Sequence, residues 1–204
     1  MIRKLLKCWR HRNELRRVIS THLSLLEGDG VADALGGLTD EETAAVEGLA
    51  RDVPAGGTIV EFGTLFGLTT QRLAECSRAD VKVVTVDNFC WNPFGLPPSA
   101  HRDFVRRILR PYLTSGKVEL FEGSTATFRE SGRAGGIDLV FIDADHAYEA
   151  VKVEVAWAKA AGVHVIAGHD YGNKLFGVTR AVDEAFAHVD VAGMVWSARA
   201  EGGK

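Results

Sequence analysis

Apolar residues recur along the chain in two patterns, which together predict that strands and helices alternate. Short apolar runs bounded by glycine, proline or polar residues predict five strands, at residues 58–62, 81–87, 117–123, 137–143 and 162–170. Apolar residues three or four positions apart predict the intervening helices LTTQRLAEC, HRDFVRRILRPYL, AYEAVKVEVAWAKAA and VTRAVDEAF. Strand runs that are apolar nearly throughout are buried on both faces, so we expect a parallel sheet covered by helices.

The two ends of this alternating region show different patterns. HVDVAGMVWSARA predicts two short strands that turn back on each other at Ala192 and Gly193, and LTDEETAAVEGLARDV predicts a helix with its N-cap at Thr39 or Asp40. We therefore predict an α/β fold, a doubly wound, mostly parallel, seven-stranded Rossmann-like sheet with a C-terminal antiparallel hairpin and N-terminal helices. We divide the chain into an N-terminal segment, residues 1–37, and one domain, residues 38–204.

The first 17 residues are basic and amphipathic. They hold seven Lys or Arg residues and a single acid, and their apolar residues follow helical spacing at Ile2, Leu5, Leu6 and Trp9. Three interpretations stay open: a helix docked on the domain or on a second subunit of a homodimer, a helix that contacts a membrane surface or an acidic partner, and an organelle presequence.

Composition narrows the function classes. A formal net charge of −3 argues against a general nucleic-acid-binding protein. Three cysteines lie far apart along the chain, which favours free thiols in a reducing compartment, so we expect a cytoplasmic protein. No apolar stretch reaches the length that spans a bilayer.

Small or polar residues follow each of the five strands predicted to be parallel. Ligands of open α/β sheets bind in the crevice beyond the carboxyl ends of the strands. In chain order the residues at this edge are 63–69, Asp87, Gly123 with Ser124, 143–146 and 169–171. Because all five strands show the feature, it predicts a site at this edge more specifically than any one motif does.

The first two of these segments suggest a nucleotide ligand. Gly63 would permit a tight turn, and Gly67 would let the backbone approach a ligand closely. Asp87 lies 24 residues beyond Gly63, where an acid commonly accepts hydrogen bonds from ribose hydroxyls. Leu65 replaces the middle glycine of the dinucleotide fingerprint, which weighs against a diphosphate ligand.

The E-x-G-x-x-x-G stretch at residues 61–67 and the run VFIDADHAYEAV, VIAGHDY, GV and AVDEAF resemble a known family. They are similar to class I S-adenosylmethionine-dependent methyltransferases, in particular to the methyltransferase domain 24 family and to the metal-dependent catechol and caffeoyl-CoA O-methyltransferases. The resemblance covers about residues 58–200.

This resemblance implies roles for matching residues. The implied S-adenosylmethionine-binding residues are Glu61, Gly63, Thr64, Gly67, Thr69, Asp87, Gly123, Ser124 and Asp143. Asp143 and Asp170 match two metal ligands of the metal-dependent branch. His146 stands where that branch has a lysine, and Tyr171 stands where it has an asparagine. His146 is our first candidate for a catalytic base and His169 the second, although His169 could also only bridge backbone groups.

The function we expect is methyl transfer from S-adenosylmethionine to a hydroxyl of a small molecule or sugar. Ligation by oxygen atoms alone favours Mg²⁺ as an assisting cation, with Mn²⁺ or Ca²⁺ as alternatives. Two alternatives are a nicotinamide-dependent oxidoreductase and a non-catalytic cofactor-binding module that acts through the basic N-terminal helix. Trp91, Phe94 and His101 could form an acceptor-site lid or pack in the ordinary way, and the sequence does not decide between these.

Overall fold

The computed structural model describes residues 36–199, in which helices and strands alternate except at two consecutive helices before the third strand and at the last two strands. The predicted basic helix and most of the N-terminal segment lie outside the described residues. In chain order the elements are α1 (Asp40–Asp52), β1 (Thr58–Phe62), α2 (Leu68–Cys76), β2 (Lys82–Asp87), α3 (Pro98–Ile108), α4 (Arg110–Ser115), β3 (Val118–Glu122), α5 (Thr125–Glu130), β4 (Leu139–Ile142), α6 (Tyr148–Ala160), β5 (Val165–Gly168), α7 (Val178–Ala185), β6 (Asp190–Ala192) and β7 (Val195–Arg199).

The strands form one seven-stranded sheet in the order β3-β2-β1-β4-β5-β7-β6. The first five strands pair in parallel, and β7 runs antiparallel to both β5 and β6. The predicted doubly wound sheet with a C-terminal hairpin is therefore confirmed. The chain winds outward from β1 to β3 and then crosses to β4 on the other side of β1, so the switch point lies between β1 and β4.

Two hydrophobic clusters cover the two faces of this sheet, because successive strand residues point to opposite sides. In β1, Ile59 belongs to one cluster, while Val60 and Phe62 belong to the other. This burial on both faces explains why the strand sequences are apolar nearly throughout. Glu61 lies on the same face as Ile59 and is fully buried, so one acidic side chain interrupts the apolar strand near its C-terminal end.

The helices differ from the sequence-based expectation at two places. The helix predicted over HRDFVRRILRPYL is two helices, α3 and α4, because the chain breaks at Leu109 and Pro111, which has no N–H to donate, lies in the first turn of α4. The six-residue helix α5 was not predicted, since it is too short to show a helical period. Its N-cap is Ser124, whose hydroxyl oxygen accepts a hydrogen bond from Thr127 N at 3.0 Å.

Helix α1 begins as predicted, with Thr39 as its N-cap. Thr39 and Glu42 form a reciprocal capping box, in which each side chain accepts a hydrogen bond from the backbone N–H of the other. Within residues 36–199, no helix combines the length and apolar composition needed to cross a membrane.

Candidate active site

The loop that follows β1 is held by one carboxylate from the end of β2. Asp87 Oδ2 accepts hydrogen bonds from Thr64 N and Leu65 N, both at 3.0 Å, and Oδ1 accepts one from Phe89 N at 2.6 Å. Leu65 and Phe89 have positive φ angles of 44° and 56°, which non-glycine residues rarely adopt. Asp87 therefore stabilises two strained turns at once. Asp87 is half-buried, and after these three hydrogen bonds one acceptor site remains, on Oδ1, for a ligand hydroxyl.

Gly63 brings the ends of β1 and β4 into contact. Its φ is +93°, and a Cβ at this position would lie 2.1 Å from the carbonyl oxygen of Asp143. Gly67, with a φ of +82°, is the N-cap of α2, and a Cβ there would lie 3.2 Å from the side chain of Leu109. The space beside Gly67 is thus filled by the Leu109 side chain, and the expected approach of its backbone to a ligand stays a prediction.

Three of the predicted cofactor-binding side chains lie beneath this loop. Glu61 is fully buried, it accepts a hydrogen bond from the Thr70 hydroxyl through Oε2, and its Oε1 has no hydrogen-bond partner. Burial raises the pKa of Glu61 to about 8. Thr64 and Thr69 are buried as well, and the Thr64 hydroxyl lies 2.6 Å from that of Thr85. These buried side chains stabilise the loop and the start of α2, and their role in cofactor binding stays a prediction.

The end of β3 meets the end of β2 at the same edge of the sheet. Gly123 N donates a hydrogen bond to the carbonyl oxygen of Asp87 at 3.0 Å. Gly123 and Ser124 are half-buried, and Ser124 begins α5. The structure thus brings Asp87, Gly123 and Ser124 together, as the sequence predicted, at one side of the switch point.

On the other side, two carboxylates and two imidazoles form a cluster at the ends of β4 and β5. His146 Nε2 lies 3.4 Å from Asp143 Oδ1 and 3.3 Å from Asp170 Oδ2. His169 Nδ1 lies 3.5 Å from the same Asp170 oxygen. All four predicted catalytic and metal-binding residues therefore lie in one group, which we call the His/Asp cluster.

Burial and neighbouring charges oppose each other in setting the pKa values of the His/Asp cluster. Burial alone would lower the pKa of His146, but its hydrogen bond to Asp143 and the charges of Asp143 and Asp170 outweigh burial and raise it. The same balance, with a further contribution from Glu42, raises the pKa of His169 to about 9. Burial raises the pKa of Asp143, whereas the hydrogen bond from His169 and the charge of His146 lower that of Asp170 despite its burial.

The structure adds two residues that the sequence did not single out for the site. Glu42 from α1 places Oε1 3.4 Å from His169 Nε2. Asn173 donates a hydrogen bond through Nδ2 to Asp170 Oδ1 at 3.1 Å. The capping-box spacing of Thr39 and Glu42 predicts a helix start, but it gives no indication of the contact with a histidine 127 positions later.

The structure also distinguishes among the residues that the sequence left open as lid or packing residues. His101 is fully buried, and its Nε2 lies 2.6 Å from the carbonyl oxygen of Leu65, so it fixes the loop after β1. Phe94 is buried and packs in a small cluster with Phe66. Trp91 is 71% exposed and remains a candidate for acceptor contact.

A divalent cation fits the His/Asp cluster by the chemistry of its donors. One ligand atom each from Asp143, His169 and Asp170 lies within 4.8 Å of the other two. An imidazole nitrogen of His169 thus lies beside the pair predicted from the sequence, Asp143 and Asp170, and the expected binding of Mg²⁺ stays a prediction.

Comparison with known proteins gives the same fold and one family. A family model described as a methyltransferase domain matches residues 60–171. An O-methyltransferase from Bacillus cereus, solved in complex with SAH, is 16% identical, with 92% of this chain and 90% of that chain covered and a TM-score of 0.59. The O-methyltransferase TomG from Streptomyces achromogenes, solved with SAM, is 17% identical, with coverages of 90% and 96% and a TM-score of 0.59.

A third similar structure is CalS11, a TDP-rhamnose 3'-O-methyltransferase of calicheamicin biosynthesis, at 16% identity, coverages of 95% and 93% and a TM-score of 0.58. At these identities the solved structures establish the fold alone. No curated protein matches the chain. The family match covers more than half of the 204 residues, including the loop after β1 and the whole His/Asp cluster. The prediction of a class I methyltransferase is confirmed, and the chain belongs to the methyltransferase domain family.

Proposed function

We propose that this protein transfers the methyl group of S-adenosylmethionine to a hydroxyl group of a small molecule or sugar. The observation that supports this most directly is the contact between Gly63 and the backbone of Asp143. It places the loop expected to hold the methyl donor directly beside the His/Asp cluster expected to hold the acceptor. A direct displacement needs the two reactants aligned at such a boundary.

The residues at the edge of the sheet suit this cofactor. Asp87 is half-buried and keeps acceptor capacity beyond its three backbone hydrogen bonds, as a ribose diol requires. Gly123 and Ser124 stand next to it, where the adenine would lie. The carboxylate of Asp143, at the start of the cluster, favours the positive charge of a sulfonium.

His146 is the residue that we assign as the base. Its side chain is 30% exposed, whereas that of His169 is 17% exposed, so His146 is the more accessible imidazole to a hydroxyl from solvent. Asp143 and Asp170 orient its Nε2 and raise its pKa, which makes the neutral ring a stronger proton acceptor. Asp143 and Asp170 would also hold a divalent cation, which when bound would lower the pKa of the acceptor hydroxyl.

Two of the similar structures support O-transfer and a sugar-type acceptor by their own descriptions. One is an O-methyltransferase solved with SAM, and another acts on TDP-rhamnose. We infer the same chemical class of acceptor here, and we place the reaction in the cytoplasm because the cysteine pattern favours a reducing compartment.

The first experiment is a calorimetric titration of the full-length protein with S-adenosylhomocysteine, followed by NAD under the same conditions. We expect saturable one-to-one binding of S-adenosylhomocysteine and no heat with NAD. Binding of NAD alone would overturn the proposal in favour of the oxidoreductase alternative.

The second experiment separates cofactor binding from turnover. The double variant Asp143→Asn with Asp170→Asn should keep part of its affinity for S-adenosylhomocysteine, which lacks the sulfonium charge that Asp143 would face, and should lose methyl transfer to any acceptor found by screening. Full activity in the double variant would overturn the assignment of the His/Asp cluster to the acceptor site.

A further inference from the structure

The two ring nitrogens of His169 face two different carboxylates. Nδ1 lies 3.5 Å from Asp170 Oδ2 inside the His/Asp cluster, and Nε2 lies 3.4 Å from Glu42 Oε1 on the far side of the ring. His169 Nε2 is buried and forms no hydrogen bond among the described residues, so the Glu42 carboxylate faces it as a charged neighbour. The ring is therefore a bridge between the cluster and helix α1.

Glu42 is held in place by groups that have no part in the cluster. Its Oε1 accepts a hydrogen bond from Met194 N, and its Oε2 accepts one from Thr39 N, both at 2.9 Å. The turn between β6 and β7 packs against it, since a Cβ at Gly193 would lie 2.6 Å from Glu42 Cγ. With 4% of its surface exposed, Glu42 is a fixed carboxylate beside His169 Nε2.

A histidine with one nitrogen toward a carboxylate and the other toward a group of oxygen donors matches a recurrent arrangement of metal sites, in which the outer carboxylate fixes the tautomer and the orientation of the ring. We propose that His169 Nδ1 binds a divalent transition metal together with Asp143 and Asp170, and that Glu42 is the residue that orients His169. This inference rests on the proposed function for its catalytic purpose, but metal binding itself requires neither methyl donor nor acceptor.

The donor set determines which cations this site prefers. Imidazole nitrogen suits Zn²⁺ and carboxylate oxygen suits Mn²⁺, so a mixed set accommodates both, whereas Mg²⁺ selects oxygen ligands and water alone. The site therefore prefers a transition metal over Mg²⁺. The assignment also divides the work of the two histidines: His169 is a ligand, and the more exposed His146, whose ring packs against Phe176 with centroids 4.5 Å apart, remains free to act as the base.

The chain offers a matched pair of histidines for the test. His169 directly follows β5 and His164 directly precedes it, exposed and at the opposite end of the strand. We would titrate full-length wild type, His169→Asn and His164→Asn with Mn²⁺, Zn²⁺ and Mg²⁺ separately by calorimetry, without S-adenosylmethionine. Wild type and His164→Asn should bind Mn²⁺ and Zn²⁺ more tightly than Mg²⁺, and His169→Asn, which offers an amide oxygen, should lose this preference.

Glu42→Gln tests the orienting role. It keeps an oxygen for Met194 N but removes the carboxylate that faces His169, and we expect Mn²⁺ affinity to fall by about 10- to 100-fold. If Glu42 only stabilised the fold, this variant would have a changed melting temperature and an unaltered Mn²⁺ affinity. That result would overturn the assignment of Glu42 as the residue that orients His169.

Pulsed electron paramagnetic resonance of the Mn²⁺-loaded protein reports the ligand directly. Wild type and His164→Asn should show hyperfine coupling to a directly bound ¹⁴N nucleus, and His169→Asn should not. Bound Mn²⁺ without nitrogen coupling in the wild type would overturn the proposal without recourse to any variant.

The outcomes also separate this proposal from the proposed function. Mn²⁺ binding with nitrogen coupling in a protein that does not bind S-adenosylhomocysteine would support the metal site and refute the methyltransferase assignment of the crevice. Binding of S-adenosylhomocysteine by a protein that binds none of the three cations would support the methyltransferase assignment and refute the metal site.

Discussion

Replacement of Glu61 by glutamine should abolish one component of the pH dependence of stability. Glu61 is fully buried at the end of β1, and burial raises its pKa from 4.5 to about 8. Between these two pH values the folded protein retains a proton that the unfolded chain releases. The stabilisation is therefore fully present below pH 4.5, and it is lost as pH rises toward about 8.

The size of the effect follows from the shift. The difference between 4.5 and about 8 is roughly 3.5 pKa units, and at 1.36 kcal/mol per unit the free energy of unfolding loses on the order of 5 kcal/mol across this range. Glutamine keeps an oxygen that can accept the hydrogen bond from Thr70, but it does not ionise. The raised pKa values of His146 and His169 add to the slope in the same direction, and they are present in both proteins, so they cancel in the difference.

The assay is urea unfolding at pH 5.5, 7 and 8.5 for wild type, Glu61→Gln and the control Glu130→Gln, which changes an exposed carboxyl at the end of α5. We expect the wild type to lose stability with rising pH relative to Glu61→Gln, and Glu130→Gln to follow the wild type. Parallel curves for wild type and Glu61→Gln would refute the reasoning, because they would mean that Glu61 has nearly the same pKa in the folded and unfolded states.

Three further predictions test the loop after β1. Gly63→Ala should cost at least ~3 kcal/mol of unfolding free energy, because its Cβ would lie 2.1 Å from a backbone oxygen. The control Gly56→Ala should cost about 1–2 kcal/mol, because Gly56 has a φ of +72° but no atom within 4 Å of its Cβ. Equal costs of the two variants in urea unfolding would contradict the contact between Gly63 and Asp143. Asp87→Asn should weaken S-adenosylhomocysteine binding by about 10- to 100-fold in calorimetry, because a charged acceptor is lost and a loop N–H loses its partner. His101→Leu removes the donor to a carbonyl of the same loop and should cost ~1–3 kcal/mol in thermal or urea unfolding, and an unchanged midpoint would argue against that hydrogen bond.

The sequence predicted the edge of the sheet at which the site lies because the rule behind it is topological. Parallel strands all end at one edge, so Asp87, Asp143 and Asp170 must lie there once the strands are recognised. The pattern does not show which way each side chain turns. Glu61 and Thr64 match the family pattern as well as Asp87 does, yet they point into the protein and support the loop.

The contacts that complete the site join residues far apart in the chain. Glu42 accepts a hydrogen bond from Met194 N across 152 positions, and it reaches His169 only because α1 packs near the turn between β6 and β7. Spacing within a motif cannot reveal such a contact, since it depends on how the helix docks on the sheet. The loop at residues 88–97 was ambiguous for a related reason: the Asn92 side chain organises it through hydrogen bonds to Phe94 N and to both backbone groups of Leu96.

The charges of the His/Asp cluster indicate why this site requires a positively charged ligand or positively charged histidines. Glu42, Asp143 and Asp170 bring three carboxyl groups together, and among residues 36–199 the structure records no Lys or Arg within ion-pair distance of any of them. Their compensation therefore comes from the two imidazoles or from a bound cation. If the proposals hold, a divalent cation and the sulfonium of the methyl donor would both supply this charge at the boundary that Gly63 makes with Asp143. Three clustered carboxyl groups would destabilise a protein that bound no cation. Their presence is thus consistent with a site that binds both a divalent cation and the methyl donor.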